Sequence, residues 1–273
     1  MRVVLTGDVH QWINSADRAY ASETECALAL EYARIARRHG LKVTLFFTGL
    51  AVIEDEANVQ ALLAEDNVEV GGHGWDSFEP QWRYRAANRL FGSPHGSRAI
   101  QARMVRRTCA AIERVTGQKV MSWRNHAYTF DANTPLVLAD AGFQVWSDKV
   151  DRQRLTPYAH ASGVTILPIN TTPDHEHLYH GAQTVETIPV ARRPGYDYPD
   201  AWRERVVRQV QAIVKGGGTA TILAHPLCMK VADDWRTFEH LCSRLSSYPT
   251  AWAIDTAQPL SDPVKAARTR RTT

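Results

Sequence analysis

A distorted parallel (β/α)7-type barrel in one domain, mixed α/β in class, is the architecture this sequence predicts. Three observations predict it. Short apolar runs rich in β-formers alternate with helix-patterned runs along most of the chain. About seven such units fit into 273 residues, which suits a closed barrel better than an open sheet. The residues able to do chemistry fall at the carboxyl ends of the strand-like runs, the face on which such barrels build their sites.

Strand one is R-V-V-L-T-G-D-V-H, residues 2–10. Residues 22–40 read as a helix: Ser22 and Glu25 have capping-box spacing, Leu28, Tyr32 and Ile35 share a face, and Gly40 marks the end. Strand K-V-T-L-F-F-T-G, an acidic-capped helix through Leu63, and strand V-E-V-G-G-H-G follow. Residues 77–97, holding Trp82, Tyr84 and several arginines, read as a long loop of the kind that serves function. A basic helix over 97–116 leads to strand K-V-M-S-W-R-N-H. Then come a helix over 131–141 and strands F-Q-V-W-S-D and T-I-L-P-I-N. After a polar, His-rich loop, a helix over 202–215 ends in three glycines. Strand T-A-T-I-L-A-H, a helix over 233–245 and strand A-W-A-I-D complete the barrel. Residues 1–260 are read as the barrel and 261–273 as a basic, frayed tail.

Composition excludes several classes. Net charge is +3 with the basic residues dispersed, so no nucleic-acid partner is expected. No run approaches the ~20 apolar residues of a membrane helix, and no signal peptide is visible, so the chain is read as soluble and cytoplasmic. The four cysteines, Cys26, Cys109, Cys228 and Cys242, form no C-x-x-C pair and suggest no disulfide framework. Oligomeric state is not legible.

In a strand, residues two apart point to the same side. Asp8 and His10 therefore project together from strand one. His73 closes strand three, Arg124 and His126 strand four, Asp148 strand five and His225 the strand before the last helix. Each has an ordinary structural alternative: a rim histidine, a turn-forming Asp8, an Arg124–Asp148 ion pair. All would have to hold at one rim. Chemically, His10 and His73 offer imidazoles that suit zinc or a similar ion, Asp8 a general base, and His225 an acid for a departing amine. That set suits hydrolysis of an amide or ester.

The ordered motifs T-G-D-V-H, E-V-G-G-H-G-W-D-S, W-R-N-H-A-Y, W-S-D and T-I-L-A-H-P resemble those of the polysaccharide deacetylases, carbohydrate esterase family 4, over roughly residues 3–230. The resemblance implies a distorted barrel and N-deacetylation of an amino sugar or related small N-acyl substrate, helped by a divalent metal, zinc foremost. It assigns Asp8 as base, Arg124 as its brace, Asp148 as the acidic residue after the next strand, and His225 as acid. His73 matches the first histidine of the family's H-x-x-x-H metal motif, and the second falls on Ser77. Val9 replaces the family's metal-binding aspartate, for which His10, one position later, is a chemical substitute. The third protein ligand stays open among Asp76, His95, His175 and His177. Trp75, His126 and Tyr128 are read as substrate contacts, with Trp12, Trp82 and Tyr84 as further aromatics near strand ends. Alternatives are a metal-independent cyclic amidase of the allantoinase-like branch (which H-G-W resembles), a sugar deformylase, and a catalytically silent binding barrel.

Overall fold

The computed structural model describes residues 1–11 and 19–258; Trp12 and the 261–273 tail lie outside the described residues. Strand β1 (Arg2–Val9) is buried along seven of its eight residues, as a strand covered on both faces must be. Helix α1 (Glu25–Arg38) starts two residues later than the capping-box spacing suggests. Thr24 is the N-cap, accepting from the Ala27 N–H, and the Glu25 carboxylate is engaged elsewhere. Strand β2 (Val43–Phe47) leads into two helices instead of one, α2 (Gly49–Glu54) and α3 (Glu56–Leu63). Asp55 leaves helical geometry and caps the second by accepting from the Asn58 N–H.

Beyond β3 (Val68–Gly72), the segment read as a loop contains helix α4 (Gln81–Phe91). None of its residues is buried, and its apolar Trp82, Leu90 and Phe91 lie on solvent, not on the core. Helix α5 (Arg98–Thr116) runs from a Ser97 cap to a left-handed Gly117. Two short strands, β4 (Ser122–Trp123) and β5 (Val145–Trp146), flank α6 (Thr134–Asp140). Strand β7 (Thr165–Ile166), the start of the predicted T-I-L-P-I-N run, pairs parallel with β5, and an unpredicted strand, β6 (Tyr158–Ala159), is added antiparallel to it. Helix α7 (Pro199–Lys215), strand β8 (Thr219–Leu223), and helices α8 (Pro226–Asp233) and α9 (Arg236–Leu245) follow. The predicted last strand is a 3-10 turn, Ile254–Thr256. Only Thr250 pairs in strand fashion, with Val3.

The sheet order is β6-β7-β5-β4-β3-β2-β1-β8, parallel throughout except for the β6–β7 pair. It curls into the expected distorted barrel, and side chains close the remaining seam. Asn170 accepts from the Thr221 N–H at 2.8 Å and donates to the Thr219 carbonyl at 2.9 Å, and Thr171 donates to the Thr221 carbonyl at 2.9 Å. These bonds satisfy the free edge of β8, which an open sheet would expose.

Strand alternation sorts the core into two compartments. Val3, Leu5, Ile222 and Ala224 pack with the surrounding helices, whereas Val4, Phe46, Val145 and Leu167 form a separate inner cluster floored by Ala251 and Ala253. Thr6, Asp8 and His10 continue the inner face of β1 upward from Val4. Gly71 is small for the same reason: a Cβ there would stand 2.5 Å from the Phe46 ring and 3.1 Å from the Ser122 carbonyl.

Candidate active site

The inner faces of four strands deliver one cluster. Arg124 is fully buried and all its hydrogen bonds run inward. It donates to Asp8 Oδ1 at 2.8 Å, to Thr6 Oγ1 at 3.1 Å, and to Ser147 through the carbonyl at 3.0 Å and Oγ at 2.9 Å. Its guanidinium lies 4.5 Å from the centre of the Phe46 ring. With Oδ1 of Asp8 so occupied, Oδ2 faces the imidazoles, 3.5 Å from His225 Nε2 and 3.8 Å from His73 Nε2. Burial alone would raise the Asp8 pKa, but foremost the Arg124 guanidinium, with His225, holds it well below the usual carboxylate range.

His73 donates Nδ1–H to the Arg124 carbonyl at 3.0 Å, which leaves Nε2 as the lone-pair nitrogen. That atom is buried without a hydrogen-bond partner. Burial pushes the His73 pKa down to about 3, Asp8 opposing and the neighbouring cations adding to it, so the ring is neutral. Beside it, His10 Nε2 and His126 Nδ1 lie 3.1 Å apart, and one donor atom from each of the three histidines falls within 4.8 Å of the others. On a tetrahedral ion with bonds of about 2.1 Å, two nitrogens stand about 3.4 Å apart. An orphaned buried nitrogen within 4.8 Å of two more imidazole donors, themselves 3.1 Å apart, is a set that a borderline divalent ion can draw together with small side-chain movements. His10 is itself braced, with Nδ1 and the backbone N–H both on Glu25 Oε2.

On the opposite side, His225 precedes α8. Its Nδ1–H and backbone N–H both donate to Asp174, at 2.7 and 2.6 Å. Burial alone would lower the His225 pKa, but the charge of Asp174 and its hydrogen bond, with Asp8, hold it well above the ordinary value. Asp174 thus favours the protonated ring, whose Nε2 lies 3.5 Å from Asp8 Oδ2.

The structure thus brings together Asp8, His10, His73, Arg124, His126 and His225. Asp148 stands behind them. Its oxygens accept from the Asn125 N–H (2.6 Å), Asn125 Nδ2 (2.7 Å) and Trp146 Nε1 (2.5 Å), and burial pushes its pKa up to about 7 against those bonds. Ser77 accepts from Gln11 Nε2 at 3.0 Å and is outside the histidine trio. Of the other donors considered, Asp76 accepts from Tyr84, His95 bonds Thr129, and His177 Nδ1 donates to the Gly195 carbonyl. Trp75 is packed between the Arg107 guanidinium and Gly49. Tyr128 is half-buried, with its backbone in the left-handed region. Phe78 packs edge-on to His126, ring centres 5.0 Å apart.

Sequence reasoning missed Glu25 and Asp174. Glu25 was absorbed into a helix-capping pattern, and Asp174 lay in a loop without periodicity. The signal for His126 as a third donor was present: it lies two residues after Arg124, hence on the same side.

No family model and no curated protein matches the chain. Among solved structures, one assigned to the polysaccharide deacetylases, from Mycobacterium smegmatis, is 15% identical over 99% of this chain and 91% of its own, with a TM-score of 0.69. The PuuE allantoinase is 14% identical over 100% of this chain and 90% of its own, TM-score 0.64. A CE4 family pseudoenzyme from Bacillus anthracis is 17% identical over 93% of this chain and 64% of its own, TM-score 0.55. The fold expected from the sequence resemblance is the fold found, that of the polysaccharide deacetylases.

Proposed function

We propose that this chain, a divergent relative of the polysaccharide deacetylases, is a metal-dependent amide hydrolase that removes an acyl group from a small N-acylated, sugar-like substrate. The observation that carries the reading is His73 Nε2, a buried imidazole nitrogen without a partner, beside Asp8 Oδ2, His10 and His126. His10, His73 and His126 would hold the ion, with His126 taking the place expected of Ser77. A zinc-like ion supplies Lewis acidity to an acyl oxygen and to an attacking water.

The protein's own groups do the proton work. Asp8 takes the proton of the attacking water on Oδ2, since Arg124 occupies Oδ1. Arg124 fixes the carboxylate's rotamer and keeps it charged. As the C–N bond breaks, His225 passes its Nε2 proton to the departing nitrogen, while Asp174 stabilises the cationic ring beforehand and orients it. Asp148 acts as a positioning residue, holding Asn125 between Arg124 and His126. Phe78 and Tyr128 offer apolar surface near His126 and His225 for a sugar ring.

Elemental analysis of the purified chain, with a screen for acetate or formate release from N-acyl sugars, tests the reading. Expected are a zinc-like ion lost on His73→Ala and turnover abolished by chelation. The likeness to an allantoinase over the full chain supports a second reading, a metal-free cyclic amidase. Ring opening that persists in chelator would select it. Absence of any turnover, with Asp8→Asn and His225→Ala leaving the biological effect unchanged, would make this a binding barrel.

A further inference from the structure

We infer that His175, His180 and Cys228 form a second metal site, distinct from the trio above, that takes a zinc-like ion and clips the 174–180 loop to helix α8.

Three potential ligands converge there, one donor atom each, all within 4.8 Å of one another. Cys228 Sγ is 3.1 Å from His180 Nε2 and 3.7 Å from His175 Nδ1. With bonds of about 2.3 Å to sulfur and about 2.1 Å to nitrogen, a tetrahedral ion sets sulfur and nitrogen about 3.6 Å apart. The observed distances bracket that value, so small side-chain movements admit the ion. Donor chemistry agrees: one thiolate and two imidazoles suit zinc and disfavour magnesium or calcium, which take oxygen. His180 is oriented as ligating histidines are. Its Nδ1–H donates to the Leu178 carbonyl at 2.7 Å, directing the Nε2 lone pair at the sulfur. On binding, Cys228 gives its S–H proton to solvent and the sulfur becomes the charged ligand. His175 is exposed, so the fourth position opens to solvent on its side.

The placement gives the ion a task. Cys228 lies three residues after His225, in the first turn of α8, and His175 directly follows Asp174. An ion held by His175, His180 and Cys228 therefore ties the loop bearing Asp174 to the helix that His225 precedes. The site makes no use of His10, His73 or His126, so it stands whether or not the trio holds a metal.

The test uses the full chain loaded with cobalt(II) in place of zinc. Expected is the near-ultraviolet charge-transfer absorption of a thiolate–cobalt bond, unchanged in His73→Ala and abolished in Cys228→Ser. Zinc content should fall by one equivalent per chain in Cys228→Ser, while His73→Ala removes only the trio's equivalent. His175→Ala, at an exposed position, should weaken zinc binding at this site with the fold intact, which guards against misfolding of the buried Cys228 variant. Wild-type protein without the thiolate band would overturn the proposal, reducing the cluster to a thiol–imidazole hydrogen bond. A band surviving in Cys228→Ser would place the metal at another cysteine and overturn it equally.

Discussion

Glu25 accepts two hydrogen bonds from the single residue His10, one from the backbone N–H at 2.8 Å and one from Nδ1 at 3.0 Å. A carboxylate on Nδ1 fixes that nitrogen as the donor and leaves Nε2 its lone pair, aimed toward His126. Glu25→Gln should keep the fold and weaken metal binding by ~10–100-fold. Competition against a chromophoric chelator measures this. An unchanged affinity would mean that Glu25 serves helix α1 alone.

Arg124 is the only guanidinium paired with the buried Asp8 among the described residues. Arg124→Met would strand that carboxylate, and breaking a buried pair from one side costs ~3–5 kcal/mol. Urea denaturation should show a loss of that order, with part recovered when Asp8→Asn is added. Arg124→Lys should not rescue, because one ammonium cannot reach Asp8, Thr6 and Ser147 together.

His225 titrates above its ordinary value because Asp174 and Asp8 outweigh the effect of burial. A group whose pKa rises on folding stabilises the fold fully below its unfolded value, about 6.5, and that contribution fades as pH climbs through the folded value. Donation to the leaving nitrogen needs the protonated ring. Turnover should therefore hold through neutrality and decline on the alkaline side. Asp174→Asn should move that decline to lower pH in a pH–rate profile; an unmoved alkaline limb would assign the acid to another group.

Gly71 lies against Phe46, whose ring supports Arg124 from below. A methyl group there overpacks the inner cluster. Gly71→Ala should lower stability by ~1–3 kcal/mol, seen as a reduced melting temperature. It should also lower kcat, because Phe46 can yield only toward the guanidinium or the floor. Full stability with full activity would show that the inner cluster has slack.

How much of this was legible in the sequence depends on period and register. Alternation along β1 placed Asp8 and His10 on one side, and the same rule applied to W-R-N-H puts Arg124 and His126 together; the structure brings all four into one cluster. Asp148 shows the limit. Ser122 pairs with Val145 and Trp123 with Trp146, so Ser147 aligns with Arg124 on the inner face and Asp148 with Asn125 on the other. That register arises between strands and is written in neither alone. Helix α4 was missed although Trp82, Leu90 and Phe91 give it an apolar side, because its arginines and the turn residues at both ends read as a loop and the core buries none of it. Glu25 and Asp174 are bound to histidines 15 and 51 residues away, and no local pattern encodes such a pairing.

The closure of the barrel by Asn170 and Thr171 has a dynamic consequence. Elsewhere the wall is a backbone ladder, but along this line Asn170 and Thr171 make three of the bonds beside one backbone bond from the Thr219 N–H to the Leu155 carbonyl, and side-chain bonds can let go without unravelling a strand. Amide hydrogen exchange at Thr221 should accordingly outpace that at Ile222, which faces β1. Asp174 sits only three residues beyond Thr171, so each such parting would unseat it from His225. Breathing of the wall and readiness to deliver a proton would then rise and fall together.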